Sequence, residues 1–224
     1  MKRIFDFTAS LLLLIILSPV FLLVSLLILI DSGFPVIFRQ YRVGKDNKLF
    51  YVYKFRTMKK NTRNAATADL AEAESCITKS GRILRKTSID ELPQLFNILI
   101  GNMSFVGPRP LIPEEKEIRR LRAEYGVFSV KPGMTGLAQV SGRNNITWEQ
   151  KLQYDLDYLD SGITLFGDLK IIFMTAFKVF KREDVVRDGT VSDMDFGDWL
   201  LRNGDVTKED YDRLQAEAKK LLKA

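Results

Sequence analysis

The sequence contains no histidine and a single cysteine, Cys76, among its 224 residues. A lone cysteine cannot form an intrachain disulfide, and the absence of histidine excludes the common zinc sites and imidazole general bases. Acid–base or nucleophilic chemistry would therefore depend on carboxylates, lysine, tyrosine or hydroxyl groups. A reduced, cytoplasm-facing location is compatible with one unpaired cysteine.

Basic residues outnumber acidic ones in the first 182 positions, 27 to 17. Residues 183–224 hold 11 acids and 7 bases, a net charge of −4, so the total of +6 leaves +10 for residues 1–182. A basic body of this kind suits nucleic acid, an anionic membrane surface or phosphorylated small molecules. Nucleic acid is not expected, because the aromatic residues do not alternate with basic ones as a stacking platform requires.

One long stretch has no charge at all. Residues 9–30 are uncharged over 22 positions, and a helix of that length would reach roughly 33 Å, enough for a bilayer core of about 30 Å. The stretch is longer than the apolar region of a cleaved signal peptide and is not followed by a small-residue cleavage site. Ser18 and Pro19 interrupt it near the middle, where proline removes a helical hydrogen bond.

Basic residues lie on both sides of this stretch. Lys2 and Arg3 precede it, and residues 33–63 carry nine bases against one acid. Because lysine and arginine favour the cytoplasmic side, the simplest topology is a re-entrant segment that enters the membrane, breaks at Ser18-Pro19 and returns to the same face. A straight spanning helix with a proline kink is the alternative.

The pattern along the chain predicts a mainly helical α+β fold. Two β-prone runs flank a turn at 44–47, which predicts a hairpin. Residues 89–100, 113–126 and 147–162 have helical patterns, and KPGMTGLAQVSGRN frames a short strand with glycine turns. Residues 168–181 suit either an interfacial amphipathic helix or a buried core helix.

The expected domains are a re-entrant membrane anchor over 1–32, a small cytoplasmic-face domain with short strands over 33–182, and an acidic extension with a terminal helix over 183–224.

Asp90 and Glu91 form an adjacent pair of carboxylates in the segment SIDELPQLFN. Helix capping is one explanation, because Ser88 and Glu91 match a capping box and acids favour the start of a helix. Pro93 opposes a helix that begins at residue 89, so the helix is expected to begin at Asp90 or Glu91. Catalysis is the other explanation.

Nearby arginines favour the catalytic explanation. Arg85 lies just upstream of the carboxylates, Arg109 stands between two prolines, and Arg143 lies in a Gly-Arg-Asn turn. Guanidinium groups on rigid segments suit bidentate recognition of phosphate. Two carboxylates with several fixed arginines can assemble a site for magnesium and a diphosphate.

The chain resembles the bacterial sugar transferases, the small monotopic phosphoglycosyl transferases. The resemblance rests on YKFRTM, SIDELPQLFN, GNMSFVGPRPL, VKPGMTGLAQVSGRN and DLKI, together with the apolar segment broken at Ser-Pro, and it runs from residue 1 to about 182. It implies magnesium-dependent transfer of a phosphosugar from a UDP-sugar to undecaprenyl phosphate, with release of UMP. It also implies the cytoplasmic face of the bacterial inner membrane, where this is the first membrane step of a glycoconjugate pathway.

The same resemblance implies roles for individual residues. Asp90 would be the nucleophile that forms a covalent aspartyl-phosphosugar, Glu91 its dyad partner, and both would be magnesium ligands. The lipid bilayer, a second copy of the chain or a glycosyltransferase of the same pathway would be the further partners. The extension after residue 183 has no counterpart in the shortest members. The residues expected to bind substrate are Lys54, Arg85, Arg109, Arg143 and Asp168, and those expected to break the membrane helix are Ser18 and Pro19.

Two other functions explain less of the sequence. Asp155 and Asp157 resemble the metal motif of ordinary nucleotide-sugar glycosyltransferases, but residues two apart in a helix point about 200° apart, so both are interpreted as a solvated face. A non-catalytic adaptor at the membrane surface would explain the anchor and the charge, but not the carboxylate pair or the rigid arginines. The sequence does not indicate which sugar is transferred.

Overall fold

The computed structural model describes residues 1–60, 76–113, 115–142, 146–181 and 206–221. These residues form a mainly helical α+β structure with short strands, as the sequence predicts. The helices are α1 (Lys2–Ile16), α2 (Ser18–Ser32), α3 (Lys79–Lys86), α4 (Gln94–Ile100), α5 (Lys116–Glu124), α6 (Leu137–Ser141), α7 (Trp148–Asp160), α8 (Leu165–Lys181) and α9 (Lys208–Leu221), and the strands are β1 (Ile37–Val43), β2 (Leu49–Phe55), β3 (Ser104–Val106) and β4 (Gly133–Thr135).

The apolar segment is a pair of helices that meet at Leu17 with a bend of 61°. Ser18 and Pro19 occupy the first turn of α2, where proline is tolerated because the first helical N–H groups have no partner in the helix. The predicted break is therefore confirmed, and a bend of this size fits either a re-entrant segment or a broken span. Within the described part of the chain, length and apolar character sufficient to cross a bilayer are found only when α1 and α2 are taken together.

The start of α1 is attached to the rest of the molecule by three polar side chains. Lys2 donates a hydrogen bond to the carbonyl of Val106 at the end of β3 (3.0 Å). Arg3 donates to the carbonyls of Ile98 and Leu99 at the end of α4 (2.7 Å each). Asp6 is buried and accepts a hydrogen bond from the Ser104 hydroxyl (3.1 Å).

The end of α2 is attached in the same way. Asp31 accepts two hydrogen bonds from Ser80 of α3, from the backbone N–H (2.9 Å) and from the hydroxyl (2.6 Å). Arg56, which follows β2 directly, donates to the carbonyl of Ser32 (2.8 Å). Both ends of the bent pair are therefore bound by the same folded unit.

Strands β1 and β2 form the predicted hairpin. They pair antiparallel from Ile37 opposite Phe55 to Val43 opposite Leu49. In the turn between them, Asp46 and Asn47 have positive φ angles of 55° and 59°, which aspartate and asparagine tolerate better than most residues.

A second, two-stranded sheet pairs β3 with β4 in parallel, with Ser104 opposite Gly133 and Val106 opposite Thr135. The short strand predicted in KPGMTGLAQVSGRN, directly before the glycine turn at Gly142, is wrong, because Leu137–Ser141 form helix α6. The strand of this segment lies earlier in the chain, as β4.

The helices α1 and α2 contribute to the core on one side only. Val24 and Ile28 of α2 pack with Phe55 and Leu84, while Leu14 and Leu17 lie against a cluster that includes Leu95. Other apolar side chains of the pair face outward. Among these, the exposed fractions are Ile4 70%, Leu12 59%, Ile15 62%, Ile16 67%, Leu22 63%, Leu23 66% and Ile30 85%.

Helix α8 likewise has one buried and one exposed side. Asp168 and Ile171 are buried, whereas Phe166 and Phe173 are 86% and 73% exposed. The alternative of a helix buried on all sides is therefore wrong, and the amphipathic description fits.

The interpretation of Asp155 and Asp157 as a solvated face is wrong for one of the two. Asp155 is 3% exposed and forms an ion pair with Arg122 of α5, because α5 packs on that side of α7. Asp157 is exposed. The two carboxylates do point in different directions, as the helical spacing predicts.

Asn97 joins α4 to the hairpin. Its side chain is fully buried, accepts a hydrogen bond from the backbone N–H of Tyr53 (3.0 Å) and donates one to the carbonyl of Tyr51 (2.6 Å). Both groups lie on the edge of β2 that faces away from β1. A single amide thus sets the position of β2 relative to α4.

Asn97→Ala should lower the free energy of unfolding by about 2 to 4 kcal/mol, because it leaves one backbone donor and one backbone acceptor buried without a partner. Chemical denaturation of the detergent-solubilised protein measures the change. Asn102→Ala, at an exposed asparagine in the turn after α4, is the matched control and should change the stability by less than about 0.5 kcal/mol. Equal stability of the two variants would contradict the role given to Asn97.

Candidate active site

The carboxylate pair lies in a 3₁₀ turn, Ile89–Glu91, between α3 and α4. Ser88 has a left-handed backbone conformation (φ 57°) and its side chain makes no capping hydrogen bond, so the capping box does not form. The α-helix begins only at Gln94, with Pro93 as its N-cap residue. The prediction that the helix begins at Asp90 or Glu91 is therefore wrong, and capping does not explain the pair.

Glu91 is held by a cation from the hairpin. The Nζ atom of Lys54 lies 2.7 Å from the Oε1 atom of Glu91, and the two side chains are 23% and 18% exposed. Lys54 lies on β2, whose position is set by Asn97 of α4. The two hydrogen bonds between the Asn97 side chain and β2 therefore also help to place Lys54 next to the turn that carries Glu91.

Arg85 approaches the pair from the end of α3. Its Nε atom donates a hydrogen bond to the Thr57 hydroxyl (2.9 Å), which orients the guanidinium group. Burial lowers the pKa of Arg85, while the negative charge of Asp90 raises it. Arg85 therefore acts electrostatically on Asp90.

The carboxyl group of Asp90 has a strongly perturbed pKa. Burial raises its pKa to about 6, with a further contribution from the negative charge of Glu91, while Lys54 and Arg85 lower it. A carboxylate with such a pKa is ionised at neutral pH yet poorly solvated. That combination suits a group that reacts with, or binds, a positively charged or electron-poor centre.

The other predicted substrate-binding residues lie in different surroundings. Arg109 is exposed, on the loop after β3, and its backbone carbonyl accepts a hydrogen bond from Arg122 (2.7 Å). Asp168 is buried, forms an ion pair with Lys2 and accepts a hydrogen bond from the Tyr158 hydroxyl (2.8 Å). Arg143 lies outside the described residues. Lys54, Arg85, Asp90 and Glu91 thus form one cluster, while Asp168 is bound to the start of α1.

Asp90 and Glu91 could hold magnesium, but only in a site completed by other ligands. No group of three or more histidine, cysteine, aspartate or glutamate side chains that could hold a metal occurs among the residues described. Magnesium commonly uses one or two protein carboxylates together with substrate phosphates and water. Asp90 and Glu91 fit that shared mode and do not fit a site built from protein ligands alone.

Sequence reasoning did not identify two residues that organise this cluster, Asn97 and Thr57. Both lie inside segments on which the family resemblance rests, SIDELPQLFN and YKFRTM. Neither side chain is charged, and a polar uncharged residue in a motif gives no indication of which distant group it binds. Their roles depend on contacts with segments far away in the chain.

Comparison with known proteins places this arrangement in a family. A model of the family described as bacterial sugar transferase matches residues 1–182. A Bacillus subtilis protein described as an uncharacterized sugar transferase, EpsL, is 42% identical over 198 residues, which cover 86% of this chain and 93% of that protein.

Two further relatives carry more specific names. The undecaprenyl-phosphate galactose phosphotransferase of Salmonella typhimurium is 41% identical over 198 residues, covering 82% of this chain and 41% of that protein. The UDP-glucose:undecaprenyl-phosphate glucose-1-phosphate transferase of Klebsiella pneumoniae is 42% identical over 186 residues, covering 80% and 40%. The match to this chain therefore spans less than half the length of these two transferases.

Lys54→Met should raise the pKa of Asp90, because it removes a positive charge that stabilises the carboxylate. A ¹³C NMR titration of labelled aspartate carboxyl groups measures this: in the unsubstituted protein Asp90 should titrate near 6, and its ionised form should increase as the pH rises through that value. Lys48→Met, at an exposed lysine in the turn before β2, should leave the midpoint unchanged. An unchanged or lower midpoint in Lys54→Met would contradict the electrostatic description.

Proposed function

The chain belongs to the bacterial sugar transferase family, and from that premise we propose that it transfers a phosphosugar from a UDP-sugar to undecaprenyl phosphate and releases UMP. The reaction would take place at the cytoplasmic face of a bacterial inner membrane, as an early step of glycoconjugate synthesis. Asp90 is the proposed nucleophile. The names of the relatives, which specify undecaprenyl phosphate and UDP-glucose, support the substrate classes.

The observation that carries this proposal is the electrostatic surroundings of Asp90. Its carboxylate adjoins that of Glu91 in a turn to which Lys54 and Arg85 contribute positive charge. A poorly solvated carboxylate is a better nucleophile than a fully hydrated one, and the two cations keep it ionised at neutral pH. In a chain without histidine, these surroundings prepare the Asp90 carboxylate to attack phosphorus.

The proposed reaction consists of two displacements at one phosphorus atom. An oxygen of Asp90 bonds to the phosphorus that carries the sugar, and the bond from that phosphorus to UMP breaks. A phosphate oxygen of the lipid acceptor then attacks the same phosphorus and releases Asp90 as a free carboxylate. The products are UMP and a polyprenyl diphosphate sugar, and no separate base is required because the acceptor phosphate is already ionised near neutral pH.

Several side chains would neutralise the negative charge of the donor diphosphate, either directly or by holding magnesium. Asp90 and Glu91 would hold magnesium together with the diphosphate, in the shared mode that fits these two carboxylates. Magnesium, when bound, would supply positive charge that reduces repulsion between the diphosphate and the attacking carboxylate. Arg85, Arg109 and Arg143 are the proposed phosphate contacts, and Lys54 keeps Glu91 in place.

The attachment of both ends of the bent helix pair supports the re-entrant topology. Lys2 and Arg3 at its start, and Asp31 at its end, all bind the unit that carries the carboxylates. Ends held by one compact unit lie on the same side of a membrane. The exposed apolar side chains of the pair and of α8 provide the surface that lipid would cover. The reactive carboxylate would thereby be held near the level of the lipid phosphate.

Incubation with a UDP-sugar and magnesium, without lipid acceptor, should release up to about one equivalent of UMP and leave a phosphosugar on Asp90, as expected for covalent catalysis. Nucleotide chromatography and intact-protein mass spectrometry detect the two products, with UDP-glucose and UDP-galactose as the first donors. Asp90→Asn should abolish both signals, whereas Asp160→Asn, at an exposed aspartate of α7, should retain them.

The other outcomes distinguish the alternatives. UMP that appears only after acceptor is added would indicate direct attack by the lipid phosphate, with Asp90 as a base. Release of UDP would indicate an ordinary glycosyltransferase. Full activity of Asp90→Asn would remove Asp90 from the reaction, and an absence of turnover with every UDP-sugar would favour a non-catalytic membrane adaptor.

A cysteine on a short extension before Met1 and another in place of Lys48 should be labelled from the same side of sealed vesicles. The reason is that both ends of the bent pair bind one unit. The native Cys76 is first replaced by serine, and a membrane-impermeant maleimide is applied from each side in turn. Labelling from opposite sides would show that the segment spans the membrane. Pro19→Ala should shift some molecules towards spanning, because it permits a straighter helix.

A further inference from the structure

The loop that carries Arg109 is held at every carbonyl from Pro108 to Leu111. Each of these four oxygens accepts a hydrogen bond from a different residue, and the four donors belong to β1, β4 and α5. The donors are Gly133 to Pro108 (3.0 Å), Arg122 to Arg109 (2.7 Å), Arg42 to Pro110 (3.4 Å) and Val43 to Leu111 (2.9 Å).

Arg122 differs from the other donors because it is a buried charge. Its side chain is 5% exposed, and its Nη2 atom lies 2.5 Å from the Oδ2 atom of Asp155, which is 3% exposed. The Nη1 atom of the same guanidinium donates to the Arg109 carbonyl. One side chain of α5 therefore connects the loop after β3 to α7.

The energetics of buried ion pairs indicate that packing alone does not account for this one. Two apolar side chains of similar volume in place of a buried ion pair often leave stability unchanged or increase it. An apolar pair, however, could not donate a hydrogen bond to the Arg109 carbonyl. The distinctive contribution of Arg122 is therefore the hydrogen bond by which it holds the loop that carries Arg109.

We propose that the Arg122–Asp155 ion pair is a positioning device that fixes Arg109 for contact with the donor diphosphate. This inference rests on the proposed function, in which Arg109 binds phosphate. Arg109 itself is exposed, so its side chain can reach a ligand while its backbone is fixed from behind. Bidentate contact with phosphate depends on the position of the guanidinium, and misplacement by about 1 Å can reduce a rate about 100-fold.

The double variant Arg122→Met/Asp155→Leu tests the proposal because it removes the charges but keeps the volume. It should remain folded, with a melting temperature within a few degrees of that of the unsubstituted protein. Donor-dependent UMP release should fall about 10- to 100-fold, with the Michaelis constant for the UDP-sugar raised. Asp157→Asn, at the exposed aspartate two residues from Asp155 on α7, is the matched control and should retain full turnover.

A double-mutant cycle separates positioning from a general structural effect. If the pair acts through Arg109, adding the double replacement to Arg109→Ala should reduce turnover by less than about threefold further, because the effects of coupled residues are not additive. Additive losses would overturn the proposal, as would unchanged turnover in Arg122→Met/Asp155→Leu. Asp155→Asn, which keeps a hydrogen-bond acceptor for Arg122, should lose less activity than the double variant.

Amide hydrogen exchange tests the same proposal without turnover. In both Asp155→Asn and the double variant, a peptide covering residues 104–112 should exchange faster than in the unsubstituted protein, while a peptide covering β1 should be unchanged. Unaltered exchange in residues 104–112 would overturn the positioning role. Absence of UMP release by the unsubstituted protein would instead overturn the proposed function, and the exchange result would still stand by itself.

Discussion

Two negative charges on neighbouring residues impose the central constraint on this molecule. Asp90 and Glu91 repel each other in a half-buried turn, and burial further disfavours the ionised form of Asp90. Lys54 offsets this by binding Glu91, and Arg85 adds a second positive charge near Asp90. Since these cations come from β2 and α3, both elements have to meet at one short 3₁₀ turn. Uncharged side chains make that meeting possible, because Asn97 binds the edge of β2 and Thr57 orients Arg85.

The two apolar helices are hydrogen-bonded to the elements that flank the carboxylates. Arg3 binds the end of α4, the helix that follows Asp90 and Glu91, and Asp31 binds the start of α3, the helix that carries Arg85. The bent pair is therefore joined to the elements on both sides of the carboxylates. In a membrane, this connection would set the height of the Asp90–Glu91 turn relative to the bilayer, which a flexible linker could not do.

Part of the positive charge in residues 1–182 stabilises the fold. Arg3, Arg56 and Arg122 each donate hydrogen bonds to backbone carbonyls at the ends of helices or in a loop. Guanidinium groups suit this task because they offer several donors in a fixed plane. The charge of +10 over residues 1–182 therefore overstates the charge available to a phosphorylated ligand. Under the proposed function, a smaller set of cations, near Asp90 and at Arg109, would contact the substrate.

The hairpin turn, the break at Ser18-Pro19 and the helix of residues 147–162 could be predicted from the sequence, because backbone preferences act over a few neighbouring residues. Motif order in addition identified the family. The ion pairs of Asp155 and Glu91 could not be predicted, since their partners Arg122 and Lys54 lie 33 and 37 positions away in the sequence. In sequence, Asp155 and Asp157 are alike, yet packing against α5 buries only the first. Which cation meets which carboxylate is decided by long-range packing between elements, and the tertiary structure alone determines it.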